Sequence, residues 1–490
     1  MQLPFLSIII FSPILAGVLI FLLPGRLTRL IKSLALAATG VSLALSLVVY
    51  FGYDTTAGGY QFLEKIAWLP SLGINYLVGV DGISAPMVLL TGLVASTGVM
   101  ISWGVSERPK EFFGFLLILA GSVFGVFASM DLFMLFFFFE IAVFPKFLMI
   151  TIWGWPKTRV YGAMKLTLYL FIGSVIALIG ALAIYTGSGL HTFDLNLLQT
   201  ANFSFEFQRL WFPFVFLGFA ILAGIFPFHS WAPDGHVAAP TAISMLLAGV
   251  EMKVGAFAAL RVGILLLPDG AKYWSWLIII LGVINVVYGA VIALIQSDFK
   301  YVIGFSSVSH MGLVLLGFAS LNANGLTGAG MQMFSHGVMT AMFFAIVGMV
   351  YDRTHTRELS KLGGMMKIMP FAGVGFIIAG LVSMGMPGFS GFAAEFPIFM
   401  GLWQKSPVAA IVAVLGVIVT AAYILRVVGQ VFFGAVPAEF EKGLPGISVL
   451  DKISIAILAV FMVGIGIFPS LLSSLVGSSV QQALAVLGGV

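Results

Sequence analysis

Eight titratable side chains lie inside stretches that are otherwise apolar for the length of a membrane crossing: Glu140, Glu251, Glu395, Lys146, Lys165, Lys253, His310 and His336. A charge at mid-membrane costs several kcal/mol unless it faces a wet cavity or a partner, so these residues form the leading functional set. Lys300, in Ser297-Asp-Phe-Lys300 at the head of another apolar run, extends it. Burial brings carboxylic acids and amines toward a common acidity, which equips Glu140, Glu395, Lys253 and Lys300 to exchange protons near neutral pH. Histidine titrates there unaided, so His310 and His336 are suited to link separated lysine and glutamate sites through water. Two other readings compete. The histidines hold backbone groups at helix breaks, or, as a pair on neighbouring spans, they ligate a b-type haem. Arg261 and Arg426 lie toward the ends of their spans, where a long side chain reaches the interface and plays a structural part.

The elements that position these groups follow from composition. Of 490 residues, 60% are hydrophobic and 9% charged, which excludes an ordinary soluble enzyme and leaves room for about twelve to fifteen crossings of ~20 residues each. The absence of cysteine excludes disulfides, thiolate zinc sites, iron–sulfur clusters and covalently attached haem as products of this chain alone. With a net charge of +4 and no dense basic run, nucleic-acid binding is not indicated. Apolar runs cover 5–23, 30–51, 81–105, 112–130, 131–153, 163–187, 210–229, 240–267, 273–296, 300–321, 325–351, 370–401, 407–433 and 449–475, numbered here as helices 1 to 14. Only Ser129-Met130-Asp131 separates helices 4 and 5. Helix 1 lacks the basic start and small-residue cleavage site of a signal peptide and reads as a true span. Fourteen lysines and arginines, Lys442 among them, fall at the loops after odd-numbered helices, against Lys65, Arg209, Lys272 and Lys405 on the other side. That asymmetry puts the odd loops in the cytoplasm and both termini outside, in a bacterial or archaeal cytoplasmic membrane or an organelle inner membrane. The segment 54–80, with Trp68, Pro70 and Tyr76, reads either as lying along the outer surface or as a plain loop.

Two helices are interrupted. Helix 7 runs into Pro227-Phe-His229-Ser-Trp-Ala-Pro-Asp234-Gly-His236, and helix 12 is cut at Met386-Pro387-Gly388-Phe-Ser390-Gly391. Each break frees backbone groups that water, ions or neighbouring protein must satisfy. If helices 4–8 and 9–13 are two five-helix units, each break falls in the fourth helix of its unit, and the odd span number makes the units inverted. The expected fold is an all-α polytopic membrane protein of about 14 transmembrane helices with two such repeats. Its parts are 1–111 (helices 1–3 and an outer loop), 112–267 and 273–433 (the repeats), and 434–490 (a cytoplasmic loop and helix 14).

The runs Gly79-Val-Asp81-Gly-Ile-Ser84, Phe139-Glu140-Ile-Ala-Val-Phe-Pro145, Pro227 to His236, Ala239-Pro-Thr-Ala242, Ser297 to Lys300, Ser307-Val-Ser-His310, Gln332-Met-Phe-Ser-His336 and Met386-Pro-Gly388 are similar to those of the antiporter-like subunits of respiratory complex I, over nearly the whole chain. Glu395, where related subunits and cation/proton antiporters carry lysine, resembles subunit M. The resemblance implies a non-redox, proton-translocating subunit driven by quinone reduction elsewhere. It binds no cofactor itself, and its partners are other membrane subunits, antiporter-like ones included, and the bilayer. The carried ion is the proton, with sodium the alternative, and NADH, reduced ferredoxin, coenzyme F420 or hydrogen all fit as donor. Carried over residue by residue, Glu140 tunes an ion pair, Lys253 is the central lysine, His310 and His336 bridge, Glu395 is the terminal acid, and Lys300 pairs with Asp298. A multisubunit cation/proton antiporter or a membrane-bound hydrogenase shares most of these motifs. One departure stands out: Leu222 occupies the place of the family's helix-7 lysine, while Lys146 is an added charge six residues beyond Glu140. Lys146 is therefore expected to replace that lysine as the partner of Glu140, helped by a kink at Pro145 or a bridging water. Glu251 faces a neighbouring subunit or is a satisfied polar residue.

Overall fold

In lipid a chain must pair every backbone amide within itself, and a long apolar run does so by winding into a helix. The computed structural model describes residues 3–441 and 443–488; Lys442 lies outside them. In chain order the helices are α1 (Phe5–Leu22), α2 (Thr28–Gly52), α3 (Ser84–Ile101), α4 (Pro109–Ala128), α5 (Leu132–Trp153) and α6 (Arg159–Ser188). Next come α7 (Phe205–Leu222), α8 (Trp231–Ala238), α9 (Thr241–Ile264), α10 (Pro268–Ile295), α11 (Phe299–Ser320) and α12 (Ala323–Thr354). The last are α13 (Pro370–Ser383), α14 (Ser390–Lys405), α15 (Pro407–Phe432), α16 (Val449–Ile467) and α17 (Ser470–Val486). Thirteen helices among the described residues are long and apolar enough to cross a membrane, and α13 with α14 makes one further, broken crossing. The chain is a multi-pass integral membrane protein. Its centre is α9, α11 and α12, which are buried almost throughout, while α1, α2, α6, α10 and α15 form a half-exposed outer ring.

Three expectations change. The segment 54–80 is not a plain loop: within a mostly helical fold it holds a hairpin of β1 (Gln61–Leu69) and β2 (Ile74–Val80). The apolar, β-prone run Ile74-Asn-Tyr-Leu-Val favours a strand, and Glu64 on β1 accepts from the Leu6 amide at 2.8 Å, closing the open end of α1. Helix 14 does not run to 475: α16 ends at Ile467 before Pro469, and α17 follows, so the region 434–490 carries two helices. The Tyr50 hydroxyl and the Gly82 amide fasten α17 to the bundle through the Leu471 carbonyl (2.6 Å) and Ser479 Oγ (2.7 Å). α9 is no regular helix either, since Leu247–Glu251 and Ala259–Ile264 are wider, π-helical turns.

The first break is satisfied by a side chain from a neighbouring helix, and the second is tied to one. Asn285 of α10 accepts from the Phe226 amide (2.6 Å) and donates to the Gly224 carbonyl (2.9 Å), between α7 and α8. The Ser335 and Ser390 hydroxyls, 2.8 Å apart, join α12 to the start of α14. One local device also occurs twice. Asp131 caps α5 and bridges to the loop after α6, where Leu132 donates to the Phe193 carbonyl at 2.8 Å. Asp298 caps α11 and bridges to the loop after α12, where Phe299 donates to the Arg357 carbonyl at 2.7 Å.

The two caps differ electrostatically. The Arg357 guanidinium lies 3.3 Å from Asp298, whereas burial pushes the Asp131 carboxyl up to about 6, with amides of Asn75, Met134 and Phe133 offsetting part of the rise. A folded-state value above the ordinary 3.8 means that the folded chain holds the proton more tightly than the unfolded one. The associated stability is fully present below about pH 4 and is lost as pH rises through about 6. The melting temperature of the Asp131→Asn protein in detergent, relative to the native chain, is expected to climb across that window and then level off. A difference independent of pH would exclude titration at this cap.

Candidate functional site

The centre of the site is Lys253, wholly buried on α9. Its Nζ donates to the Ala248 carbonyl, inside the first π-helical turn of the same helix. Glycines let α12 approach here: a Cβ at Gly337 would stand 2.6 Å from the Gly249 carbonyl oxygen. His336, next to Gly337, is buried with neither ring nitrogen hydrogen-bonded. It stacks on His310 of α11 with centroids 5.3 Å apart and planes inclined by 29°. A macrocycle does not fit between rings so placed, which removes the haem reading. His310 Nε2 lies 3.0 Å from Ser383 Oγ and its Nδ1 3.3 Å from Glu395 Oε1. Gln332 Nε2 is 3.3 Å from both that nitrogen and that carboxylate oxygen.

Either end of this line meets open space. Lys300 donates to the Ala239 carbonyl at 2.6 Å and borders a cavity of about 590 Å³ shared with Glu107, Thr241, Asp352, His355 and Arg357. The expected Lys300–Asp298 pairing does not form, because Asp298 is held by its capping amides and by Arg357. Between Lys300 and Lys253, and within electrostatic reach of both, sits His236 of α8, fully buried with both ring nitrogens unpaired. Glu395 of α14 is buried at the far end, beside a recess of about 300 Å³ walled by Met384, Phe392, Phe396 and Ile418.

The charged residues of α5 depart from expectation. Lys146 does not turn to Glu140: its amine is bonded to the Glu251 carboxylate, both side chains being buried. Glu140 lies exposed on another flank of α5, where it accepts from Ser174 of α6. Six residues advance a helix by ~600°, so the two side chains diverge, and Pro145 does not undo that. Glu251 thereby finds a partner within the chain. Other assignments also shift. Lys165 is partly exposed and paired with Asp234 at 2.7 Å. Arg261 pairs with Asp81, just ahead of α3, and lies over the Tyr60 ring. Burial pushes the Asp81 carboxyl up, but that guanidinium and the Ser84 hydrogen bonds outweigh it and hold the group below the usual carboxylate range. Arg426 closes the carbonyl end of α10 through Gln296, at 2.7 Å.

A buried lysine–histidine–glutamate line running between two broken crossings, with an opening at either end, is the arrangement of an antiporter-like membrane subunit. The family described as NADH:quinone oxidoreductase/Mrp antiporter, transmembrane part, matches residues 129–420. Its relatives include NAD(P)H-quinone oxidoreductase chain 4 of Gloeobacter violaceus, 35% identical over 99% of this chain and 93% of that one. The chain 4 1 protein of Nostoc sp. is 34% identical over 100% and 94%. The chain belongs to this family, with the complex I subunits of the M, or chain 4, type. A chain of respiratory complex I from Thermus thermophilus with bound NADH superposes with a TM-score of 0.89 at 28% identity, covering 98% of this chain and 99% of that one. A chain of the Mrp complex from Dietzia sp. shares the fold, with a TM-score of 0.87 at 23% identity and full coverage of both.

His236, Gln332 and Ser383 were not singled out from sequence. His236 was visible inside the polar interruption of helix 7, and Gln332 precedes His336 by one helical turn. Ser383 carried no signal beyond its nearness to the second break. The break itself gives a test. Gly385 has φ +64°, and a Cβ there would stand 2.7 Å from Glu395 Oε2. Alanine adds ~1–2 kcal/mol of backbone strain and pushes the carboxylate off its partners. The Gly385→Ala complex is expected to assemble and to move fewer protons per quinone reduced, whereas Gly429→Ala, with nothing within 4 Å, leaves that ratio unchanged.

Proposed function

We propose that the chain is the proton-translocating, non-redox membrane subunit of a complex I-like quinone oxidoreductase, in which quinone reduction in partner subunits drives protons along its buried groups. The observation that carries this is the buried succession Lys300, His236, Lys253, His336, His310 and Glu395, four of whose members lack a full set of protein hydrogen-bond partners. Unpaired polar atoms in a dry interior are costly unless water or a mobile proton serves them. The cavity at Lys300 takes up protons from the side with the basic loops, which is the cytoplasm, leaving both termini outside. Lys253 stores the charge, the stacked histidines pass it on, and Glu395 releases it toward the flank of the bundle. Fold similarity to the Mrp chain keeps an antiporter within the same architecture, and dependence of proton movement on quinone reduction separates the two.

In purified complex, Lys253→Ala is expected to depress quinone-coupled proton movement severalfold while leaving electron transfer to artificial acceptors on the hydrophilic arm intact. Glu395→Gln keeps the shape and removes the titratable group, so proton release per quinone should fall. Normal pumping in both variants would overturn the assignment, and equal loss of both activities would point to failed assembly.

A further inference from the structure

The Lys146–Glu251 pair is a buried charge arrangement that the line from Lys300 to Glu395 does not use. Glu251 is the last residue of the π-helical turn 247–251, and Ala248, whose carbonyl holds the Lys253 amine, belongs to the same turn. Gly249, in the middle of that turn, is the contact point with Gly337 of α12, adjacent to His336. One short segment thus carries the carboxylate bound by α5, the carbonyl bound by Lys253, and the backbone against which Gly337, the neighbour of His336, is packed. Glu251 and Lys253 are separated by about 200° around the helix, so they meet through this backbone and not through their side chains. The second carboxylate oxygen, Glu251 Oε1, is buried without a hydrogen-bond partner, so among the described residues Lys146 is the one side chain holding the group.

Resting on the function proposed above, we infer that Lys146 and Glu251 are positioning residues for proton transfer: their ion pair latches residues 247–251 in the π-helical form, and that form presents the Ala248 carbonyl to Lys253. The bare Oε1 is where the latch opens. A proton received there neutralises the carboxylate and releases Lys146; the turn then rewinds and withdraws the carbonyl from Lys253, and return of the proton restores the pair. Lys146 sits on the same helix as the exposed Glu140, so a charge change at that flank reaches Lys253 through α5 and the pair.

The test uses the assembled complex. Lys146→Met and Glu251→Gln singly leave one buried charge unpaired and should lower the amount of assembled complex. The double variant Lys146→Met/Glu251→Gln removes both charges and should restore assembly. Its coupled proton transfer should remain at least twofold impaired, and its pH profile should move toward acid by about one unit, because a carbonyl that favours the protonated amine is lost. The exchanged pair Lys146→Glu/Glu251→Lys should recover part of the rate and the native profile. Native rate and profile in the double neutral variant would overturn the latch and leave the pair a structural filler. Should that variant not assemble, Glu251→Asp, which keeps the charge and retracts it by one methylene, gives the same decision: a displaced profile supports the latch and an unchanged one overturns it. Lys253→Ala serves as the reference, since normal pumping there means that the function proposed for the chain has failed and not the latch alone.

Discussion

Lipid offers no hydrogen bonds, and in this bundle the constraint bears hardest on one amine. Lys253 must either lose its proton or find oxygen within reach, and the oxygen it has is a backbone carbonyl of its own helix. In a regular α-helix each mid-length carbonyl already accepts from the amide four residues on and has only its second lone pair to offer. The Ala248 carbonyl that serves here lies in the wide turn at 247–251, and the glycine contact packs that turn against α12. The same shortage explains Asn285, which serves the opened ends of α7 and α8. Where such groups are satisfied the bundle is fixed; where they are not, at His236, His336 and Glu251, it is able to respond to charge.

Much of this was legible in the sequence, for reasons that can be named. Membrane-length runs, the proline and glycine breaks, and the isolated charges are signals written in single segments. The faces of the helices were not legible. In Phe136-Phe-Phe-Phe-Glu140-Ile-Ala-Val-Phe-Pro145 core and lipid both select apolar residues, so no periodicity says which way Glu140 or Lys146 points. The pair that Lys146 forms spans 105 residues and joins helices that are not consecutive. It was therefore hidden, although Glu251 and Lys146 were each conspicuous as unexplained charges. The hairpin was missed because its apolar strand, read beside so many spans, looked like interfacial packing. α17 was missed because one proline separates it from an apolar run that continues past it.

Charge placement distinguishes the two faces of the bundle through the repeated capping device. At one face Asp298 is answered by Arg357, which also lies 3.9 Å above the Trp155 ring and donates to the Val237 carbonyl at 3.0 Å. At the other, Asp131 has backbone amides and no guanidinium. A cation at the first site ties the ends of α5, α8, α11 and α12 into one rim around the Lys300 cavity. The second site, lacking it, is tied instead by the hairpin, through Asn75. A loop-borne arginine and a two-stranded sheet thus do the same mechanical work on opposite sides.

The π-helical turns of α9 have a consequence for chain length. Each such turn accommodates one residue more than an α-helical turn of the same height. Removing a single residue from 247–251 would therefore shorten the sequence without shortening the crossing, and the flanking parts of the helix would keep their register, including Arg261 against Asp81. Length variation among homologous chains has a place to be absorbed here, deep in the bundle, where insertions and deletions are ordinarily least tolerated.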